Sequence, residues 1–183
     1  MGQFTTGVTV VTVQRADEIH GMTANSFTAV SLDPPLVLFC VGKTARMAAF
    51  VLDAAGFAIN ILSGAQESVS RQFAGAQQAA GPIVELLDGP LAPPIANALA
   101  TISCATEAIY EGGDHWIVVG RVIELREASA PQTPLVFFRA RYCQLLEPRT
   151  AQPERDPWTN ESLRIYHDEW SEGAGNLDME PEL

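Results

Sequence analysis

Between two strongly apolar runs of this chain lies Gly21-Met22-Thr23-Ala24-Asn25-Ser26-Phe27, a stretch able to do recognition chemistry. A plain core strand would carry Val or Ile there, whereas Thr23, Asn25 and Ser26 offer hydrogen-bond donors and acceptors. Such a set can bond the edge of a planar heterocycle while Met22 and Phe27 cover its apolar part. The same residue types also serve ordinary turns and edge strands, so on this stretch alone both readings stand.

Two cationic clusters follow. Lys43-Thr44 with Arg46 comes directly after the apolar run Leu36 to Val41. Charge, hydroxyl and the free amides of a helix start together suit a phosphate, and equally a solvated turn. Ser70-Arg71-Gln72-Phe73 sets a second cation beside an aromatic ring, a pattern that a surface salt bridge also explains. In Gly112-Gly113-Asp114-His115-Trp116 a glycine turn delivers His115 to the start of a strand. A histidine at a barrel rim can donate to an amide or phosphate, or pass protons near neutral pH, although a lone histidine is more often structural. Arg139-Ala140-Arg141-Tyr142 reads as part of a final strand with both charges on one face, wanting an anion or carboxylates opposite. His20 and His167 have no partner pattern and are assigned no role. No pair of His, Cys or acidic residues has a familiar metal-ligand spacing, and no metal is expected. The absence of GxSxG, Walker A or GxGxxG after a strand removes the Rossmann route to a dinucleotide.

These residues need a scaffold, and the pattern around them is mostly β. Phe4 to Val13 reads as a strand and Gln14 to Gly21 as a polar hairpin break. After the Asp33-Pro34-Pro35 turn, Leu36 to Val41 is a continuous apolar strand. Met47 to Ala54 and Gln66 to Ala74 read as short helices, with Gly56 to Leu62 a strand between them. Residues 75 to 98 hold three Gly and four Pro and read as loop. Leu99 to Glu111, His115 to Glu127 and Pro134 to Leu146 supply three more strands. Six or more strands with few helices predict an antiparallel barrel over residues 1–150.

From Pro148 onward the chain turns polar. Asp156-Pro157 predicts a helix start, with Leu163, Tyr166 and Trp170 on one face, inside an acidic C-terminal extension over 151–183. From Glu154 to the end, nine acidic residues and two arginines give −7 of the total charge of −11. Such a surface repels nucleic acid. No apolar run is long enough to cross a bilayer. Three scattered cysteines, Cys40, Cys104 and Cys143, predict buried free thiols and a soluble protein of the reducing cytoplasm.

In order along the chain, several segments together resemble the short-chain flavin reductase family, the small components of two-component flavin-dependent monooxygenases. They are Phe4 to Thr12, Gly21 to Phe27, Ser31 to Leu36, Phe57 to Leu62, Ser70 to Ala74, Gly113-Asp114-His115 and Phe138 to Tyr142. The resemblance implies an FMN-binding split β-barrel of antiparallel Greek-key type, usually a homodimer, which uses NADH or NADPH to reduce FMN or FAD. Carried over, it places Thr23, Ala24, Asn25 and Ser26 on the flavin, with Ser31 and Asn60 in the same cofactor-binding set. Lys43, Thr44 and Arg71 address the flavin phosphate with Phe73 nearby. His115, as the catalytic candidate, and the Arg139 to Tyr142 strand hold the nicotinamide nucleotide. Two departures stand out. The family usually has a helix before the Phe4 strand, and here the chain begins almost at the strand. In the closing motif Ala140 stands where the family typically has glycine.

The implied reaction is hydride transfer from the nicotinamide C4 to the flavin N5, followed by delivery of reduced flavin to a separate monooxygenase. The cofactors carry that chemistry and the protein aligns them. A flavin-binding sensor or carrier on the same barrel would keep the Thr23 to Ser26 and Lys43 sites without a nicotinamide pocket. An oxidase that retains its flavin would need further substrate-binding groups.

Overall fold

The computed structural model describes residues 2–75 and 84–145. The helix expected from Asp156, with Leu163, Tyr166 and Trp170, lies outside the described residues, as do His167, the acidic extension and the expected domain boundary near residue 150.

Among the described residues, ten strands and two α-helices follow the order β1 (Thr6–Gly7), β2 (Thr9–Arg15), β3 (Glu18–Ala24), β4 (Thr28–Leu32), β5 (Pro35–Gly42), α1 (Arg46–Asp53), β6 (Gly56–Ile61), α2 (Glu67–Phe73), β7 (Ala100–Gly112), β8 (His115–Glu127), β9 (Val136–Phe138) and β10 (Arg141–Cys143). The large sheet runs β3-β2-β6-β7-β8-β5-β4, with every neighbouring pair antiparallel, and β1-β9-β10 form a second sheet. The large sheet stays open among the described residues. No helix among them is long and apolar enough to cross a membrane.

Sequence periodicity locates most of these elements, and the differences have local causes. The expected Phe4 to Val13 strand divides at Val8, whose carbonyl accepts the Leu62 amide at 3.0 Å. One half pairs with β9 and the other with β3 and β6. The expected polar break at Gln14 to Gly21 shrinks to a turn at Ala16-Asp17, because Ala16 takes a left-handed φ of 50° and β3 pairs with β2 from Glu18 onward. The expected final strand from Pro134 to Leu146 is a correction. It is a hairpin, β9 and β10, whose two turn residues Arg139 and Ala140 have φ of 48° and 58°. Two successive left-handed residues twist the chain back on itself, so Arg139 and Arg141 do not share a strand face.

The core sits between the large sheet and α1. Phe39 and Phe57, both fully buried, meet edge to face at 5.0 Å. Met47, Phe50 and Val51 of α1 close over them. Each such side chain contributes about 1.5–3 kcal/mol by leaving water. A second cluster, including Val8, Val10, Leu62 and Val69, lies under α2. The 3-10 turn Gly64–Gln66 that leads into α2 is fixed by a capping box in which the Ser63 amide donates to Gln66 Oε1 at 3.1 Å. Gln66 Nε2 in turn donates to the Ala96 carbonyl at 2.9 Å. Among the cysteines, all free, Cys104 is buried and its thiol is pushed up to about 12 by that burial; Cys40 and Cys143 are only half-buried, a correction to the expectation of three buried thiols.

Candidate functional site

Met22 to Asn25, at the end of β3, form one wall of a cavity of about 300 Å³. Phe73 of α2 faces them, Phe137 and Tyr142 of the β9–β10 hairpin complete the enclosure, and Val8 lies at its base. Met22, Thr23 and Ala24 are still paired with β2, and Asn25 follows directly after the strand's last residue. Thr23 donates its hydroxyl to the Ser70 carbonyl at 2.6 Å, tying β3 to α2. Ser70, fully buried, shares a 2.8 Å hydrogen bond with the Tyr142 hydroxyl. Tyr142 meets Phe137 edge to face at 5.4 Å. One continuous network therefore holds three walls of the cavity.

Two further hollows adjoin it. Val8 and Asn25 are shared with a groove of about 720 Å³ between the N-terminal segment and Ser26 to Thr28. Met22, Phe73 and Ala74 are shared with a hollow of about 490 Å³ that reaches Arg46 and His20. Thus Thr23, Ala24, Asn25, Phe73 and Tyr142, all expected at the site, line one cavity. Ser26 lines the adjoining groove, where its hydroxyl accepts the Cys40 amide at 2.9 Å and pins this segment to β5. Arg71 lies against the cavity wall, its guanidinium 4.8 Å over the Tyr142 ring.

Lys43, Thr44 and His115 gather elsewhere, at the shared end of β5 and β8. Gly42 pairs with His115, and the Lys43 amide donates to the Asp114 carbonyl at 2.9 Å. The Lys43 ammonium lies 3.1 Å from Glu111 and 4.8 Å over the Trp116 ring; Thr44 is exposed. His115 Nδ1 lies 2.7 Å from Asp114 Oδ1, which leaves Nε2 for another partner. That contact holds the Asp114 carboxyl below its ordinary value.

Three more expected residues do not reach the cavity. Asn60 is fully buried, its amide donating to the Val10 carbonyl at 2.9 Å and its oxygen accepting the Ile95 amide at 2.7 Å. A further contact of 3.3 Å joins it to Thr12. Its side chain has nothing left to offer a cofactor, and its role is to hold β6 to β2 and to the 93–96 loop. Arg139 sits in the hairpin turn, where Nε donates to Gln3 Oε1 at 3.0 Å. Ser31 stands on β4 opposite Leu36 and lines neither the cavity nor its two neighbours.

The cavity and its adjoining hollow also contain what residue type did not announce. Phe137 read as ordinary strand filling, and only the hairpin turn brings it beside Tyr142. His20 lies two residues before Met22 on β3, so strand parity was the available signal. It stacks on Phe50 with ring centroids 4.9 Å apart. Burial, and secondarily Arg46, pushes its pKa below the ordinary value.

A family model for the flavin reductase like domain matches residues 1–146. An NADH-dependent FAD reductase of Streptomyces globisporus is 48% identical over 128 residues, covering 67% of this chain and 70% of that protein. The reductase subunit HsaB of a flavin-dependent monooxygenase from Rhodococcus jostii is 37% identical over 162 residues, covering 88% of this chain and 81% of its own length. Among solved structures, the flavin reductase PheA2 superimposes with a TM-score of 0.76 at 39% identity, covering 80% of this chain and 94% of that one. By the extent of the family match and by identity across most of its length, the chain belongs to the flavin reductase-like domain family.

Proposed function

We propose that this protein is an NAD(P)H:flavin oxidoreductase that transfers a hydride from a reduced nicotinamide to FMN or FAD and supplies reduced flavin to a separate monooxygenase. One observation carries the reading beyond family membership: the cavity at Thr23 to Asn25 adjoins a second, larger groove, with Val8 and Asn25 lining both. Two planar reactants that must stack need adjoining spaces, and a carrier of one flavin does not.

The residues fit a flavin. Val8, Met22, Phe73 and Phe137 give the first cavity apolar walls suited to a ring system, and Thr23 and Asn25 give it a polar edge. Arg71, over Tyr142, and Arg46, in the adjoining hollow, supply positive charge for a phosphate. A bound flavin supplies the two-electron acceptor. The chain itself aligns the reactants, which can account for about 7–11 kcal/mol of a barrier. Thr23 and Ser70 brace the wall, Phe73 separates the cavity from the Arg46 hollow, and Asp114 engages Nδ1 of the His115 ring, leaving Nε2 for another partner. His115, the candidate for positioning the nicotinamide, reaches the reactants only if they extend toward the end of β5 and β8.

A second copy of this chain is the expected partner. Phe4 is 78% exposed and Leu32 80% exposed, and Phe4 lines the large groove; a homodimer would cover such apolar surface. Free thiols at Cys40, Cys104 and Cys143 support a cytoplasmic location. Anaerobic stopped-flow mixing of protein and FMN or FAD with NADH, then NADPH, tests the enzyme reading. Rapid loss of oxidised-flavin absorbance with repeated turnover of added flavin is expected. Binding without bleaching by either donor would leave a flavin-binding module.

A further inference from the structure

Every cation expected to address a phosphate is already held by a carboxylate. Lys43 meets Glu111 at 3.1 Å, Arg46 meets Glu18 at 2.7 Å, and Arg71 meets Glu67 at 2.6 Å. Three different elements, β7, β3 and α2, supply those carboxylates, so the pattern does not follow from one local turn.

The Arg71 pair is the most constrained. Both Nε and Nη2 donate to the same oxygen, Glu67 Oε1, at 2.8 and 2.6 Å. Glutamate four residues before arginine on a helix is the favourable order, and Glu67 also lies in the first turn of α2. On its other side Arg71 rests on Tyr142, which the buried Ser70 hydroxyl fixes. The guanidinium is thereby held at the cavity wall with two of its five N–H donors committed and its charge offset.

Resting on the flavin reading above, we propose that Glu67 is an affinity-setting residue, a built-in competitor for Arg71 that weakens the hold on a flavin phosphate and lets flavin exchange. A phosphate reaching Arg71 must approach a carboxylate of its own sign and displace it from two donors. The pair is half exposed, with side-chain exposures of 49% and 45%, so displacement is cheap but not free. A reductase that hands over its product gains from this compromise, since a fully available arginine would retain the flavin.

Binding of FMN and of riboflavin, which lacks the phosphate, is measured by quenching of flavin fluorescence for wild type, Glu67→Gln, Arg71→Gln and the double variant. Glu67→Gln is expected to bind FMN about three- to tenfold more tightly and to leave riboflavin within about twofold of wild type. In the Arg71→Gln background the same change should have no effect on FMN. Unchanged or weaker FMN binding by Glu67→Gln, equal tightening toward riboflavin, or persistence of the gain without Arg71 would each overturn the proposal. A wild-type protein that quenches neither ligand would overturn the flavin reading along with it.

Discussion

Gly21 and Phe73 pack so closely that a β-carbon at position 21 would lie 2.5 Å from Phe73 Cε1. The glycine lets the α2 ring lie flat on β3, and that ring is a wall of both the main cavity and the Arg46 hollow. Phe73 is only half-buried, so Gly21→Ala should push the ring aside and spare the fold. The expected outcome is a melting temperature within a few degrees of wild type, about 1 kcal/mol of destabilisation at most. Flavin affinity should fall about tenfold, as alignment in the cavity is lost. Titration and thermal unfolding of the same preparation separate the two effects.

Asn60 makes the opposite case. The Asn60→Ala change would leave the buried Ile95 amide without its acceptor and the Val10 carbonyl without its side-chain donor. Unsatisfied buried groups and a small void predict a loss of about 2–4 kcal/mol in urea unfolding. In the folded fraction at low temperature, flavin affinity should stay near wild type. A large loss of affinity with unchanged stability would return Asn60 to the cofactor site.

What the sequence made legible divides along the same line. The β7 and β8 strands were readable to within one residue because Gly112-Gly113 marks their turn and apolar content runs to both sides. Thr23, Asn25 and Phe73 were legible as polar or aromatic residues without a core role. Asn60 was not: a buried asparagine that clamps backbone and one that meets a ligand look alike until its partners at Val10 and Ile95 are known. The β9–β10 hairpin was hidden because Arg139 and Ala140 are not residues that announce a left-handed turn. Pairing energy and the packing of Phe137 on Tyr142 override the local preference.

His20 gives a pH dependence. Burial lowers its folded-state pKa below the ordinary 6.5, so between those two values the unfolded chain binds a proton that the folded chain refuses. Stability attributable to the neutral ring is therefore intact above 6.5 and is lost as pH falls through the window below it. The charged groups nearby are Arg15, Glu18, Arg46 and Asp53, of which Arg46 adds to the lowering and Glu18 opposes it. Unfolding midpoints measured from pH 7.5 down to 5 should decline for wild type more steeply than for His20→Gln. Parallel profiles for the two proteins would remove His20 as the source.

Ala140 stands second in the β9–β10 turn at φ 58°, after Arg139 at φ 48°. A β-carbon in the left-handed region costs about 1–2 kcal/mol, and glycine's extra freedom in the unfolded chain costs about 0.5–1 kcal/mol. The first effect is the larger, so Ala140→Gly should stabilise by up to about 1 kcal/mol, read as a raised denaturant midpoint with unchanged slope. The turn is exposed and Ala140 lines none of the cavities, which leaves flavin binding as it was. Ala140→Val, with a branched β-carbon in the same conformation, should instead destabilise by more than the wild-type strain and loosen Tyr142, lowering flavin affinity with it. Equal stability for the glycine and valine variants would mean that the turn relaxes to ordinary φ in solution, and that Tyr142 is held by Ser70 and Phe137 alone.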